Sequence, residues 1–273
     1  MDTPLATLRR EALARLEAEG LPAAKHEAWR FTQLNRLRAQ AFCPAEPHTD
    51  GTSVTELVGG DALVQALAGR GPRLVFVNGF LRADASDLAR ELPAGVELRG
   101  LAGMEPARLA GLLERHRDRA QLTDARSGFH EVNTALFQDG AYLHVARGVR
   151  LEEPVLVVHL TLGVADGAIA AHPRVVVELE PGAEATLVEV HLTPEPVSDR
   201  SPSRPRPFTN AVVELTLGAD AKLDHVQVVR PQTEGFLLTG LQAHQERDSR
   251  LRLLTVQRGG PLVRQDTHVV LDG

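Results

Sequence analysis

A single cysteine, Cys43, stands in 273 residues. One thiol cannot form an internal disulfide, complete a Cys-based zinc site or hold an iron–sulfur cluster by itself. Aromatic residues make up only 4% of the chain, with Trp29 and Tyr142 the only ones besides phenylalanine. That leaves little stacking surface for a carbohydrate-active fold. Only Lys25 and Lys222 are lysines among 30 basic residues, and the formal net charge of −6 argues against nucleic acid as the main partner. No stretch approaches 18 uncharged apolar residues, so no membrane-spanning helix is expected. The opening MDTPLATLRREALARLEAEGLP is charged throughout and has no apolar h-region, so it does not read as a signal peptide. A reducing, cytoplasmic location is therefore expected by exclusion. Catalytic signatures are missing as well: there is no Gly-x-Ser-x-Gly elbow, P-loop, Gly-x-Gly-x-x-Gly or His-Glu-x-x-His.

What is present is ordinary globular composition, 43% hydrophobic and 24% charged, of a length that suits one or two domains. Two halves follow different grammars. Residues 1–127 read as a helical (α+β) domain. Leu5, Leu8, Ala12, Leu13 and Leu16 recur at helical spacing until Gly20 and Pro22 stop the run. Further helical patterns cover about Thr55 to Leu67 and about Pro106 to Leu122, the latter with Leu109, Leu112, Leu113 and His116 near one face. Between them Leu74 to Val77 is β-rich, and Asn78-Gly79 is a strong turn signal before Phe80 and Leu81.

Residues 128–273 begin with one last helical pattern, FHEVNTALF at 129–137, and then read almost wholly as strand. The runs are AYLHV, PVLVVHLTL, RVVVELE, ATLVEVHL, AVVELTL, KLDHVQVV, FLLTGLQAH, LRLLTV and LVRQDTHVVL. Val175, Val177 and Leu179 alternate with Glu178 and Glu180; Ala211, Val213, Leu215 and Leu217 alternate with Glu214 and Thr216. A period of two predicts half-buried strands with one solvated face. Residues 1–127 balance acid and base, so this half carries the whole net charge. PGAEATLVEV and LGADAKLDHV repeat a turn-then-strand unit, with Gly182 and Gly218 36 residues apart and a degraded third copy near Arg247-Asp248-Ser249. The repeat suits a β-solenoid, although a recurrent turn in a β-sandwich would read the same way. Between the copies, TPEPVSDRSPSRPRPF at 193–208 holds five prolines and three arginines and predicts a surface loop, either a tolerated insertion or a docking ligand.

For chemistry, Cys43 has no adjacent His or CxxC partner and reads as inert. His144, His159, His172, His191, His225, His244 and His268 all lie in the β half. Stacked strands could bring such residues into one row, so a His-based metal-binding enzyme or binder is one reading of the chain. His225 shares strand parity with Leu223 and Val229. It is the candidate for an inward imidazole needing a partner, and the one metal candidate named.

Four segments together resemble the SufB/SufD iron–sulfur cluster assembly protein family, the SufD branch in particular. In GLPAAKHEAWRFTQLNRL they are Gly20, Leu21, Pro22, Lys25, Glu27, Trp29, Arg30, Phe31, Thr32 and Leu34. LVFVNGFLRADASDL supplies Asn78 and Gly79, and the stretch from Phe129 to Leu160 supplies Asn133, Thr134, Ala135, Gly140, Gly148 and Pro154. RGGPLVRQDTHVVLDG at 258–273 supplies Gly259, Gly260 and Arg264. The resemblance implies a mostly β chain, an N-terminal helical region followed by a right-handed parallel β-helix. Gly20, Pro22, Glu27, Trp29, Asn78, Gly79, Asn133, Gly140, Gly182, Gly218 and Arg264 then become signature residues with structural roles. It further implies a non-catalytic scaffold subunit, not an enzyme, working with a SufB-like protein and a SufC-like ABC ATPase. Neither nucleic acid nor membrane is an implied partner. No cofactor is expected on this chain alone; an iron–sulfur cluster and ATP belong to the complex. Val269-Val270-Leu271-Asp272-Gly273 stops at a strand-to-turn junction, so the β-helix is expected to be incomplete at its C-terminal end, with no ligand residue to transfer from the family.

Overall fold

In the computed structural model, which describes residues 3–23, 25–48, 53–54, 60–120, 128–162, 167–193, 206–231 and 235–273, helices cluster before residue 137 and strands after it. The helix α1 (Pro4–Glu19) starts on an N-cap in which Thr3 accepts from the Ala6 amide, and it ends where Gly20, at φ +74°, donates to Leu16. Two short helices follow, α2 (Asn35–Arg38) and α3 (Ala62–Leu67), the latter capped by Asp61 accepting from the Leu63 and Val64 amides. The longer α4 (Pro106–Ala120) and α5 (Gly128–Leu136) come next.

Fourteen strands form an eight-stranded and a six-stranded sheet among the described residues. From β5 (Gly140–Val145) the chain moves between them: β6 (Val155–Leu160) joins the smaller sheet, β7 (Ala168–Ala171) and β8 (Arg174–Leu179) the larger, β9 (Glu184–Thr193) the smaller. Then β10 (Phe208–Leu217), β12 (Phe236–Glu246) and β14 (Leu262–Asp272) extend the larger sheet, while β11 (Lys222–Pro231) and β13 (Arg250–Gln257) extend the smaller. Every pairing among these ten strands is parallel. The first half contributes β1 (Phe42–Pro44) beside β7, β2 (Arg73–Val77) parallel to β6, β3 (Phe80–Leu81), and β4 (Val96–Gly100) antiparallel to β5. Strand pairing thus runs straight across residue 127.

Asn78 and Gly79 carry φ of 55° and 84°, the two left-handed residues that a two-residue hairpin between β2 and β3 requires. The nine strand segments read from the sequence all form. β1, β4 and β7 do not announce themselves, being short or, in AIAA, nearly all alanine. Residues 121–127 and 194–205 lie outside the described residues, and with them the end of the 106–122 pattern and most of the Pro-rich segment. Its ends, Thr193 and Phe208, belong to β9 and β10.

The main core lies between the sheets, where Val157, Leu187, Leu223, Val177, Leu215 and Leu241 meet. The expected solvated face fails for β10, all ten residues of which are buried, Glu214 and Thr216 included. The outer faces are covered: Leu109, Leu112 and Leu113 with Leu8 pack on Tyr142 and Val176, while Trp29 and, from α5, Phe129 pack toward Phe208 and Leu238. Val54, Val64 and Ala85 cover the outer face of the smaller sheet. On α1 the buried stripe is narrower than its spacing predicts, because Leu13 points to solvent.

The turn repeat is real but two residues out of step. Gly182 aligns in space with Asp220, not with Gly218, because Glu184 pairs with Lys222. Gly148, Gly182, Asp220 and Asp248 all have φ between 59° and 72° and form one column. The Gly148 amide donates to Pro181, Gly182 to Ala219 and Asp220 to Arg247, so each turn hydrogen-bonds to the next. Asp tolerates the left-handed region better than most side chains, which lets the motif drift from Gly to Asp and hides its register.

Candidate functional site

Along the smaller sheet, alternate residues of β6, β9 and β11 face the larger sheet. Val155 and Val157, Ala185 and Leu187, and Leu223 hold the apolar core. Continuing each strand by the same period of two places His159, Glu189, His191, His225 and Gln227 on that inward face. The core therefore turns polar toward the C-terminal ends of three parallel strands. Register brings His159 opposite His191 and Glu189 opposite Gln227.

Three imidazole Nε2 atoms converge on one carboxylate. His191 lies 2.7 Å and His159 3.4 Å from Glu189 Oε1, and His225 lies 3.2 Å from Oε2. The His159 and His191 rings stack with centroids 4.7 Å apart, and Phe76 stacks on His159 from the other side. Glu189 is 0% exposed. Burial by itself would raise its carboxyl, but His191 close by, with the imidazoles of His159 and His225 also facing it, outweighs that and holds it well below the usual carboxylate range. Burial pushes His159 down, so that ring is neutral at pH 7. Across the core Thr161 and Thr209 share a hydroxyl hydrogen bond of 2.7 Å. Among the described residues, His159, Glu189 and His191 form the one group of three or more His, Cys, Asp or Glu side chains close enough to share an ion, their ligand atoms within 4.8 Å of one another.

A second buried network lies on the outer face of the larger sheet. Arg174 donates through Nε and Nη2 to both oxygens of Glu214, at 2.8 and 2.7 Å. Its Nη1 reaches Asn133 Oδ1 and Thr134 Oγ1, and its Nη2 approaches His130 Nε2. Asn133 Nδ2 donates to the carbonyls of Pro173 and Asn210, and Asn210 Nδ2 to that of Phe129. The network therefore ties α5 to β8 and β10. Although burial opposes it, the Arg174 charge and the His130 hydrogen bond hold the Glu214 carboxyl far below its ordinary range. These contacts saturate the groups involved and leave no open ligand position.

The structure distributes the other singled-out residues over the frame. The Gly20 and Pro22 turn meets the head of α5, where a Cβ on Gly128 would come 2.6 Å from Pro22 Cδ. Glu27 is exposed at the start of a 3-10 turn that buries Trp29, whose ring is covered by Arg264 at 3.9 Å; Arg264 also donates to Thr32 Oγ1 at 2.6 Å. Asn78 Oδ1 accepts from the Leu162 amide. A Cβ on Gly140 would lie 1.9 Å from the Arg174 carbonyl, and one on Gly218 2.7 Å from Pro181 N. Cys43 is exposed on β1. His144 pairs with Glu180, and His244 with Asp272, away from the histidine cluster. Sequence reasoning singled out His225 but missed Glu189, which reads as an ordinary alternating glutamate until strand pairing sets it, with its neighbour His191, beside His159 and His225.

Two family models divide the chain between them: the SufBD protein N-terminal region matches residues 1–157, and the SufBD core domain of the SUF iron–sulfur cluster assembly system matches residues 162–273. The chain belongs to the SufBD family. A SufBD family iron–sulfur cluster assembly protein of Synechocystis is 29% identical over 269 residues, covering 97% of this chain and 56% of that protein. SufD of Escherichia coli K12 is 29% identical over 266 residues, covering 96% of this chain and 55% of its own length. The chloroplastic protein ABCI7 of Arabidopsis thaliana is 22% identical over 270 residues, covering 97% of this chain and 53% of its own length. The chain thus spans about half the length of the SufBD relatives it matches. The family boundary at 157/162 falls on β6, some thirty residues beyond the change of grammar at 127. Among the described residues no helix is long and apolar enough to cross a membrane.

Proposed function

We propose that this chain is part of a non-catalytic, SufD-type scaffold subunit for iron–sulfur cluster assembly. The observation that carries the reading is the match of SufBD models to both halves, residues 1–157 and 162–273. Ten strands alternating between two parallel sheets, with stacked left-handed turns, support assigning the fold as a right-handed parallel β-helix. Among the described residues β13 and β14 are each paired on one side only. Exposed Leu254, Val256 and Leu271 lie on those strands.

On this reading the working unit includes a SufB-like partner and a SufC-like ATPase in the cytoplasm. The cluster is cargo shared at the level of the complex, and ATP is bound by the ATPase. Co-expression of the tagged protein with its own organism's SufB-like and SufC-like proteins is expected to yield a stable complex on size exclusion. Elution of the tagged chain alone at every expression ratio would refute the reading.

A further inference from the structure

We propose that His159, Glu189 and His191 form a site for a first-row divalent transition-metal ion inside the β core, with His225 holding the second oxygen of Glu189. The proposal is independent of the assembly role. It rests on geometry first. A tetrahedral ion with bonds of about 2.0–2.1 Å keeps its ligand atoms roughly 3.3 Å apart. Glu189 Oε1 already sits 2.7 Å from His191 Nε2 and 3.4 Å from His159 Nε2, so small side-chain rotations would open such a position.

The second observation is a missing partner. His159 is buried, yet neither ring nitrogen makes a hydrogen bond, and its Nε2 faces Glu189 Oε1 without hydrogen-bond alignment. A buried imidazole normally has a partner at one nitrogen at least. A metal ion would supply it. The donor set defines the ion class: two imidazoles and a carboxylate suit Zn2+ or Fe2+, whereas Ca2+ and Mg2+ prefer all-oxygen shells. Three protein ligands leave a fourth position open. His225 Nε2, 3.2 Å from Glu189 Oε2, would fix the carboxylate orientation as an outer-shell partner does. The ligands come from β6 and β9 and the orienting group from β11, so the ion would bridge adjacent strands of the stack.

The test uses Co2+ and Zn2+ as probes on the intact chain, offered both to the native protein and during refolding from urea because the site is enclosed. One tightly held Co2+ per chain, with visible ligand-field bands that Zn2+ abolishes, is expected. His159→Asn and His191→Asn should each weaken Zn2+ binding about 100-fold, and His225→Gln about 10-fold. His144→Asn, remote from the cluster, should change nothing. No stoichiometric Co2+ in the wild type under either loading would overturn the proposal, and so would unchanged affinity in His159→Asn. Should the ligand variants fail to fold, the wild-type Co2+ spectrum and stoichiometry decide alone.

Discussion

Four of the five Arg174 N–H groups have oxygen acceptors, two on Glu214 and one each on Asn133 and Thr134, and the fifth faces His130 Nε2. Both members of the Arg174–Glu214 pair are 1% exposed, so neither has water to fall back on. Removing one charge strands the other in the interior. Arg174→Met is expected to lower unfolding stability by about 3–5 kcal/mol, with the double variant Arg174→Met/Glu214→Leu recovering much of the loss. Urea midpoints of the three proteins check this. His172 shows the opposite electrostatic sign. Burial pushes its pKa down from 6.5 to about 4, and its Nδ1 lies 3.4 Å from Asn210 Nδ2. The unfolded chain therefore takes up a proton as pH falls below 6.5 while the folded chain does not. His172 should contribute about 3 kcal/mol to the loss of stability between pH 6.5 and 4, beside the contributions of the other buried histidines held low, and a His172→Gln variant should lose that share of the slope. Glu214, held low, contributes its own loss only below its unfolded value of 4.5, which separates the two effects in a pH series of urea midpoints.

The repeated turn governs the next scale. Gly148 has open space around a would-be Cβ and is constrained only by φ +67°, whereas Gly140 is constrained by the Arg174 carbonyl of the neighbouring strand. Gly148→Ala should therefore cost about 1 kcal/mol, while Gly140→Ala must push two paired strands apart and should cost several times more. Asp220→Gly should be nearly neutral, since relief at φ +60° offsets added chain entropy; Asp220→Val should cost about 1–2 kcal/mol. Thermal unfolding of the four variants ranks these effects. The opposite order for Gly140 and Gly148 would mean that the strands do not approach as closely as Gly140↔Arg174 pairing requires.

At the scale of the whole molecule, the two halves are one packing unit. Trp29, the sole tryptophan, lies 5.3 Å from the Phe129 ring and beneath Arg264, so its emission reports contact between distant parts of the chain. Unfolding followed by Trp29 fluorescence and by far-UV circular dichroism should give coincident transitions. An early fluorescence transition would show the N-terminal region detaching by itself. Residues 128–273 expressed alone should not fold cooperatively. They would lose β2 from the edge of β6 and expose the outer face of β10, with its buried Glu214, where α4 and the segment carrying Trp29 are missing.

Much of this was legible in the residues. β-rich runs, two of them with clear period-two alternation, marked nine strands, Asn78-Gly79 marked the hairpin, and Leu109, Leu112 and Leu113 marked the face of α4, because these patterns encode which side of an element meets apolar neighbours. Recurrent turns and inward parity for His225 were readable for the same local reason. Pairing was not. Alternation shows that Glu214 and Val213 face opposite ways but not that helices will cover the Glu214 side, and it cannot distinguish a Gly182–Gly218 register from the actual Gly182–Asp220 one. Glu189 and His191 share a face by local alternation, but His159 and His225 join them only because β6, β9 and β11 pair in a particular register. Local periodicity was written along the chain; which polar groups share a buried site was decided by long-range strand pairing, whose offsets depend on loop lengths that no local pattern constrains.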